Sequence, residues 1–244
     1  MKPVLMEMGG KNPAFVTPSA DLDKAAQGCM KSAFGLTGQK CSALSRLFVH
    51  ESIYDAFIKK LLEQVATIKI GDPAIAENYM GPIINEKAVT RHLGAIEDAK
   101  KQGKILAGGT DLRQKPEYSH GFYVDPTIAE LPITARHFKD EFFSPFVAVT
   151  KYKELGDAIQ IANNVEYGLT AGIFTEDKNE IQYFMDHIEA GVLYANRATG
   201  ATTGAWPGVQ SFCGWKGSGS TGKGGCGPYY VSQFMREQSR TIME

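Results

Sequence analysis

Gly35-Leu36-Thr37-Gly38-Gln39-Lys40-Cys41-Ser42-Ala43 joins two patterns of different period. Before it, Leu22, Ala25, Ala26, Cys29, Met30 and Ala33 recur at helical spacing, with Ser19 or Asp21 in place to cap the helix. After it, residues 45–50 read as a strand. A turn of small residues therefore delivers one cysteine between a helix and a strand.

The same alternation runs outward in both directions. Residues 3–8 read as a short strand broken by Gly9-Gly10, and residues 13–17 as a second, ended by Pro18. Ser52 is placed to cap a helix with Ile53, Phe57, Ile58, Leu61 and Val65 on one face. Asn85 opens another with Val89, Leu93, Ile96 and Ala99, and Gly103 takes the C′ role. Strand patterns follow at 104–107, 123–131, 142–152, 170–174 and 191–195, with helical patterns at 155–163 and 178–187. Helices alternating with strands predict an α/β fold, its mainly parallel sheet covered by helices on both faces.

Residues 197–228 break the pattern. They are rich in Gly, Thr and Ser and hold both tryptophans, which marks a packed, functional loop. Residues 229–235 read as a short helix and 239–243 as a last strand.

The composition narrows the functional classes. The chain has 244 residues, 43% of them hydrophobic, so it can bury a sizeable core. Its net charge is −1 with both signs interspersed, which argues against nucleic acid or an anionic membrane as partner. No apolar run reaches membrane-spanning length, and residues 1–5 carry no signal-peptide pattern, so the expectation is a cytoplasmic protein. Cys29, Cys41, Cys213 and Cys226 show no metal-binding spacing and are expected as free thiols, with no metal site.

A thiol and a carboxylate are what nucleophilic catalysis at a carbonyl requires. Cys41 is the candidate thiol, and Glu7, in Leu5-Met6-Glu7-Met8-Gly9-Gly10-Lys11, the candidate carboxylate. Read on their own, Glu7 is better taken as a solvated charge at a strand end and Cys41 as a small buried hydrophobe. Gly217-Ser218-Gly219-Ser220-Thr221-Gly222 matches a dinucleotide fingerprint. With Lys223 it approaches a phosphate-binding loop, but Gly224 stands where Ser or Thr is needed, and too few residues follow for a βαβ unit.

Four motifs resemble the aldehyde dehydrogenase superfamily, in family order and spacing. They are Glu7-Met8-Gly9-Gly10-Lys11-Asn12-Pro13, Gly38-Gln39-Lys40-Cys41, Asp140-Glu141-Phe142-Phe143-Ser144-Pro145, and Asn196 with the glycine-rich 212–222 segment. The resemblance is to the catalytic domain (residues 1–235) and a C-terminal oligomerisation strand (236–244). It implies that Cys41 attacks an aldehyde, that a hydride leaves for NAD or NADP, and that Glu7 activates the water that hydrolyses the resulting thioester. It further implies that Glu141 holds the nicotinamide ribose, that Phe143 lies against the nicotinamide, and that the N–H of Cys41 faces the oxyanion.

Within the family the chain is most similar to the 1-pyrroline-5-carboxylate dehydrogenases, which oxidise glutamate semialdehyde. There Ser42 and the turn at Gly204 and Ala205, in Thr202-Thr203-Gly204-Ala205, correspond to groups that hold the substrate carboxylate. Two positions depart from the family pattern: Ser144 replaces a usual glycine, and Cys213 stands in a normally tight glycine position. Family members also carry an N-terminal Rossmann-type domain, which is expected to be missing here because the sequence starts just before the Glu7 motif. The isolated chain is thus expected to bind NAD weakly or not at all, and to seek either a dinucleotide-binding half or a homo-oligomer. The alternative is a non-catalytic remnant that serves as an interaction module or keeps residual esterase activity.

Overall fold

The structure, a computed structural model, describes residues 4–199, 204–220 and 223–244. In chain order the principal elements are β1 (Asn12–Val16), α1 (Leu22–Phe34), β2 (Leu44–His50), α2 (Tyr54–Ala66), α3 (Glu86–Gln102), β3 (Lys104–Ala107) and β4 (Thr127–Glu130). They continue as β5 (Phe146–Tyr152), α4 (Leu155–Asn163), β6 (Tyr167–Gly168), β7 (Thr170–Phe174), α5 (Lys178–His187), β8 (Val192–Ala195) and β9 (Trp215–Lys216). Seven strands form one sheet in the order β3-β4-β5-β2-β1-β7-β8. Only the edge pair β3–β4 is antiparallel; every other ladder is parallel. β6 and β9 form a separate antiparallel pair.

The central strands are buried on both faces, so they read as continuous apolar runs. β1 is buried at all five positions. Alternation along it sends Ala14 and Val16 to one core with Cys29, Phe34, Phe57 and Leu61 from α1 and α2. Phe15 goes to the opposite core with Ile96, Phe146, Ile159 and Phe184, which α3, α4 and α5 help to cover. There Phe15 stacks on Phe48 at 5.1 Å and meets Phe184 edge-on at 5.9 Å. The expected α/β fold, helices on both faces of a mainly parallel sheet, is what forms.

Caps explain most helix starts. Asp21 accepts from the N–H groups of Asp23 and Lys24, and Asn85 from that of Ala88. Ser52 does not cap α2: residues 51–53 form a 3₁₀ turn in which the His50 ring nitrogen accepts the Ser52 N–H. Gly103 ends α3 with φ −165°, not in the left-handed conformation of a C′ glycine. Glycine is needed there for space, because a Cβ would stand 2.1 Å from the Glu130 carbonyl oxygen.

Three expected elements differ. Residues 4–8 make a single bridge, Glu7 to Gly219, in place of a strand. The short helix at 229–235 is one 3₁₀ turn, Val231–Phe234. Residues 239–243 form no strand: they have no ladder partner in the single chain, and Ile242 is 90% exposed. Among the described residues, no helix is long and apolar enough to cross a membrane.

Candidate active site

The turn that delivers Cys41 is wound left-handed. After α1 ends, Leu36 and Thr37 have φ of 53° and 57°, and Gly38 follows at 67°. L-residues pay roughly 1–2 kcal/mol each for that conformation, so the surroundings must impose it. The Thr37 hydroxyl donates to the Gly81 carbonyl at 3.3 Å, and the Gln39 side-chain oxygen accepts the Ile84 N–H at 2.8 Å.

Beyond the thiol, the chain is tied down by one buried side chain. The Asn12 amide donates to the carbonyl oxygens of Cys41 and Ala43, both at 2.8 Å, and its own oxygen accepts the Thr170 N–H at 3.0 Å. The start of β1 thus clamps the Cys41 loop and β7 together. Asn12 belongs to the Glu7–Pro13 motif, and the sequence signal for its role is a polar residue opening a fully buried strand.

Gly9 and Gly10 let two groups approach closely. A Cβ on Gly10 would stand 2.3 Å from the Cys41 carbonyl oxygen, and one on Gly9 would stand 2.2 Å from Glu141 Oε2. The Gly10 N–H donates to Glu141 Oε1 at 3.0 Å. Glu141 is therefore a fixed, half-buried carboxylate, not a solvated surface charge. Burial raises its carboxyl above the ordinary range, while the Gly10 N–H, Lys11 and Arg91 pull the other way.

Phe143 is no core aromatic: it is 40% exposed, with φ of 50°. The segment behind it is pinned by Arg91 Nε, which donates to the Phe142 carbonyl at 2.7 Å. Ser144 Oγ meets His92 Nδ1 at 3.1 Å in the buried interior. The serine that replaces a usual family glycine thus has a partner of its own.

Glu7 is exposed and borders the glycine-rich segment. Its backbone bridges Gly219, and the neighbouring Met8 N–H donates to Ser218 O at 3.1 Å. A Cβ on Gly225 would come within 2.8 Å of Glu7 Oε1. The glycines that imitate a phosphate loop in sequence instead run beside Glu7. Among the described residues, no helix of two turns or more follows them; residues 221 and 222 lie outside the described set.

These pieces converge electrostatically on the thiol. The Cys41 pKa is raised, first by burial and then by the charges of Glu141 and Glu7, while the N–H groups of Ser42 and of Cys41 itself favour the thiolate. Both carboxylates therefore lie within electrostatic reach of one half-buried sulfur. Lys40 turns its ammonium towards Gly35 and Tyr79, and burial lowers its pKa.

Ser42 is buried beside the thiol, and its carbonyl oxygen accepts the Thr170 hydroxyl at 3.4 Å. Gly204 offers its carbonyl oxygen to Arg197 Nη1 at 2.5 Å, and Arg197 lies over Trp206, 4.8 Å from the ring centre. Ala205 is buried, while Thr202 and Thr203 fall outside the described residues. Cys213 fits its tight position because Gly191 faces it: a Cβ there would overlap the Cys213 carbonyl at 1.8 Å.

The family model for the aldehyde dehydrogenase family matches residues 1–239. The chain belongs to the aldehyde dehydrogenase family. It is 40% identical to 1-pyrroline-5-carboxylate dehydrogenase 1 of Halalkalibacterium halodurans and to the Bacillus licheniformis 1-pyrroline-5-carboxylate dehydrogenase, with all of this chain and 45% of each relative covered. It therefore spans about half the length of the curated relatives it matches. The solved Thermus 1-pyrroline-5-carboxylate dehydrogenase with bound NAD aligns with a TM-score of 0.85 at 32% identity, covering 94% of this chain and 43% of that one. Proline utilization A from Bdellovibrio bacteriovorus aligns at 0.86 and 40% identity, covering 95% of this chain and 23% of that one.

An NAD(P) cofactor, used across this family, meets a partial fit in these residues. A carboxylate held by a backbone N–H suits ribose hydroxyls, and an exposed aromatic ring suits a planar nicotinamide. For the diphosphate, no glycine-rich turn opens a helix among the described residues. Nor, among them, is there a cluster of three or more His, Cys, Asp or Glu able to hold a metal ion.

Proposed function

We propose that this chain carries the thiol chemistry of an NAD(P)-dependent aldehyde dehydrogenase whose substrate is a small aldehyde bearing a carboxylate, L-glutamate 5-semialdehyde being the best match. The observation that carries the reading is the packing at Gly9 and Gly10, which seats the Glu141 carboxylate and the Cys41 backbone against the segment that bears Glu7. The relatives named for 1-pyrroline-5-carboxylate supply the substrate class.

The chemistry runs through this chain's own groups. The Cys41 thiolate adds to the aldehyde carbon to form a thiohemiacetal, and the N–H of Cys41 donates to the new oxyanion. A nicotinamide, when bound, would supply the hydride acceptor for that carbon. The oxyanion collapses to a carbonyl and leaves a thioester on Cys41. Glu7 takes a proton from water, whose oxygen attacks the thioester; the carboxylate product leaves and the thiolate is regenerated. Glu141 and Phe143 orient the nicotinamide end of the cofactor. Ser42 and the backbone at Gly204 and Ala205 hold the substrate carboxylate.

The raised Cys41 pKa fits this division of labour. A thiol flanked by carboxylates stays protonated at rest and needs a base before it reacts. The adenosine and phosphate contacts belong to a dinucleotide-binding half, and the surface around Phe143 is where that half, or another copy of the chain, completes the site.

The test is NADH formation from L-glutamate 5-semialdehyde by the chain alone and by the chain mixed with the preceding half of a full-length relative, each beside Cys41→Ala. Turnover only in the mixture, abolished by Cys41→Ala, supports the reading. No turnover in the mixture, or turnover that survives Cys41→Ala, overturns it and leaves the interaction-module alternative.

A further inference from the structure

Lys11 and Arg46 are the two cations this fold buries most fully. Each is 2% exposed. The parallel register pairs Pro13 of β1 with Arg46 of β2, and Lys11 stands two residues before Pro13. Both long side chains reach the region where β1 begins. They line one cavity, with Pro13, Ala162, Asn163 and Tyr167 among its walls.

Burying a cation is costly unless a partner meets it. Arg46 Nη1 donates to the Ala162 carbonyl at 2.9 Å, yet its Nε has no partner. Lys11 Nζ has none either; its nearest compensation is the Phe142 ring, 4.9 Å away. Among the described residues no carboxylate pairs with either cation. Asp140 and Glu141 act on Lys11 only at a distance, and Glu141 is already held by the Gly10 N–H. Glu189, which also borders the cavity, is taken by Lys216. Burial first, and then repulsion from Arg46, lowers the Lys11 pKa to about 7, so an anion that meets the ammonium would favour its charged form.

The missing element is negative charge that accepts hydrogen bonds. The cavity also fixes its size. It is a small cavity, on the scale of one water or one monatomic ion. We propose that the cavity lined by Lys11 and Arg46 is a binding site for a single halide ion, chloride under ordinary conditions. The ion accepts from both orphaned donors and screens their repulsion. It also ties the cavity to the candidate active site, because Lys11 lines the pocket that Glu141 and Phe143 share. The proposal does not depend on the catalytic reading.

Bromide is the probe. Thermal unfolding of the whole chain is followed in sodium bromide and in sodium gluconate at matched ionic strength. Crystals grown in bromide are mapped at its absorption edge. The expected result is a saturable rise in melting temperature with bromide over gluconate, lost in Lys11→Met, and an anomalous peak between Lys11 and Arg46. Equal responses to the two salts, a bromide increment that survives Lys11→Met, or peaks at surface sites alone would overturn the proposal in favour of water in the cavity. If Lys11→Met does not fold, the wild-type anomalous map decides.

Discussion

The side-chain amide of Asn12 donates to the carbonyl oxygen of Cys41 across 2.8 Å, from the first residue of β1 to the candidate nucleophile. The same amide group holds Ala43, and its oxygen takes the Thr170 N–H. One buried side chain thus fixes the thiol loop to two adjacent parallel strands.

Asn12→Ala should therefore destabilise the chain by about 2–4 kcal/mol, because it leaves two carbonyls and one N–H buried without partners. It should also slow alkylation of Cys41 relative to that of the exposed Cys226. Urea unfolding and mass-resolved thiol labelling read the two effects. An unchanged midpoint would show that the clamp is not needed.

Leu36 offers the opposite sign. It holds a left-handed φ of 53° while 72% exposed, so its side chain contributes little packing. Leu36→Gly should relieve backbone strain and raise stability by about 0.5–1 kcal/mol, after allowance for the added freedom of the unfolded chain. Thr37→Gly at the next position should gain less, because it also removes the hydroxyl bond to Gly81.

His92 sets an acid limb. Burial lowers its pKa to about 4, and its Nδ1 is engaged by Ser144. The folded state holds the ring neutral while the unfolded chain protonates it near its ordinary 6.5. Stability from this group is thus intact above pH 6.5, falls as pH drops towards 4, and levels off below that, for a loss of up to about 3 kcal/mol. Denaturation midpoints across that window should flatten in His92→Gln. A limb of equal steepness in the variant would assign the acid loss to other groups.

The thiol has its own pH signature. Carboxylates near a sulfur oppose the thiolate, so Glu7→Gln and Glu141→Gln should each lower the apparent pKa of Cys41 and speed its alkylation at pH 8. A pH–rate profile for iodoacetamide, read at Cys41 by peptide mass, checks both. Identical profiles in wild type and variants would separate the carboxylates from the sulfur.

Much of this was legible in the sequence because it rests on period. The helices at 155–163 and 178–187 and the strand at 170–174 match their predicted bounds, since alternating apolar runs and polar caps fix them locally. Family membership was readable from four ordered motifs. What stayed hidden depends on contacts distant in sequence. Asn12 binds residues about 30 and 158 positions away, and the Ser144–His92 bond spans 52. The left-handed run at Leu36 and Thr37 has no local signal, because neither residue favours that conformation. Residues 239–243 have strand-like character, yet among the described residues no ladder receives them.

In the proposed mechanism Cys41 carries an acyl group and Glu7 discharges it. Neither step needs a dinucleotide, so p-nitrophenyl acetate and intact-protein mass spectrometry test both on the chain as it stands. One acetyl group is expected on Cys41, none in Cys41→Ala, and an adduct that clears at least tenfold more slowly in Glu7→Gln, within the range for loss of a positioned base. Acetylation elsewhere, or clearance at the same rate without the Glu7 carboxylate, would contradict this mechanism.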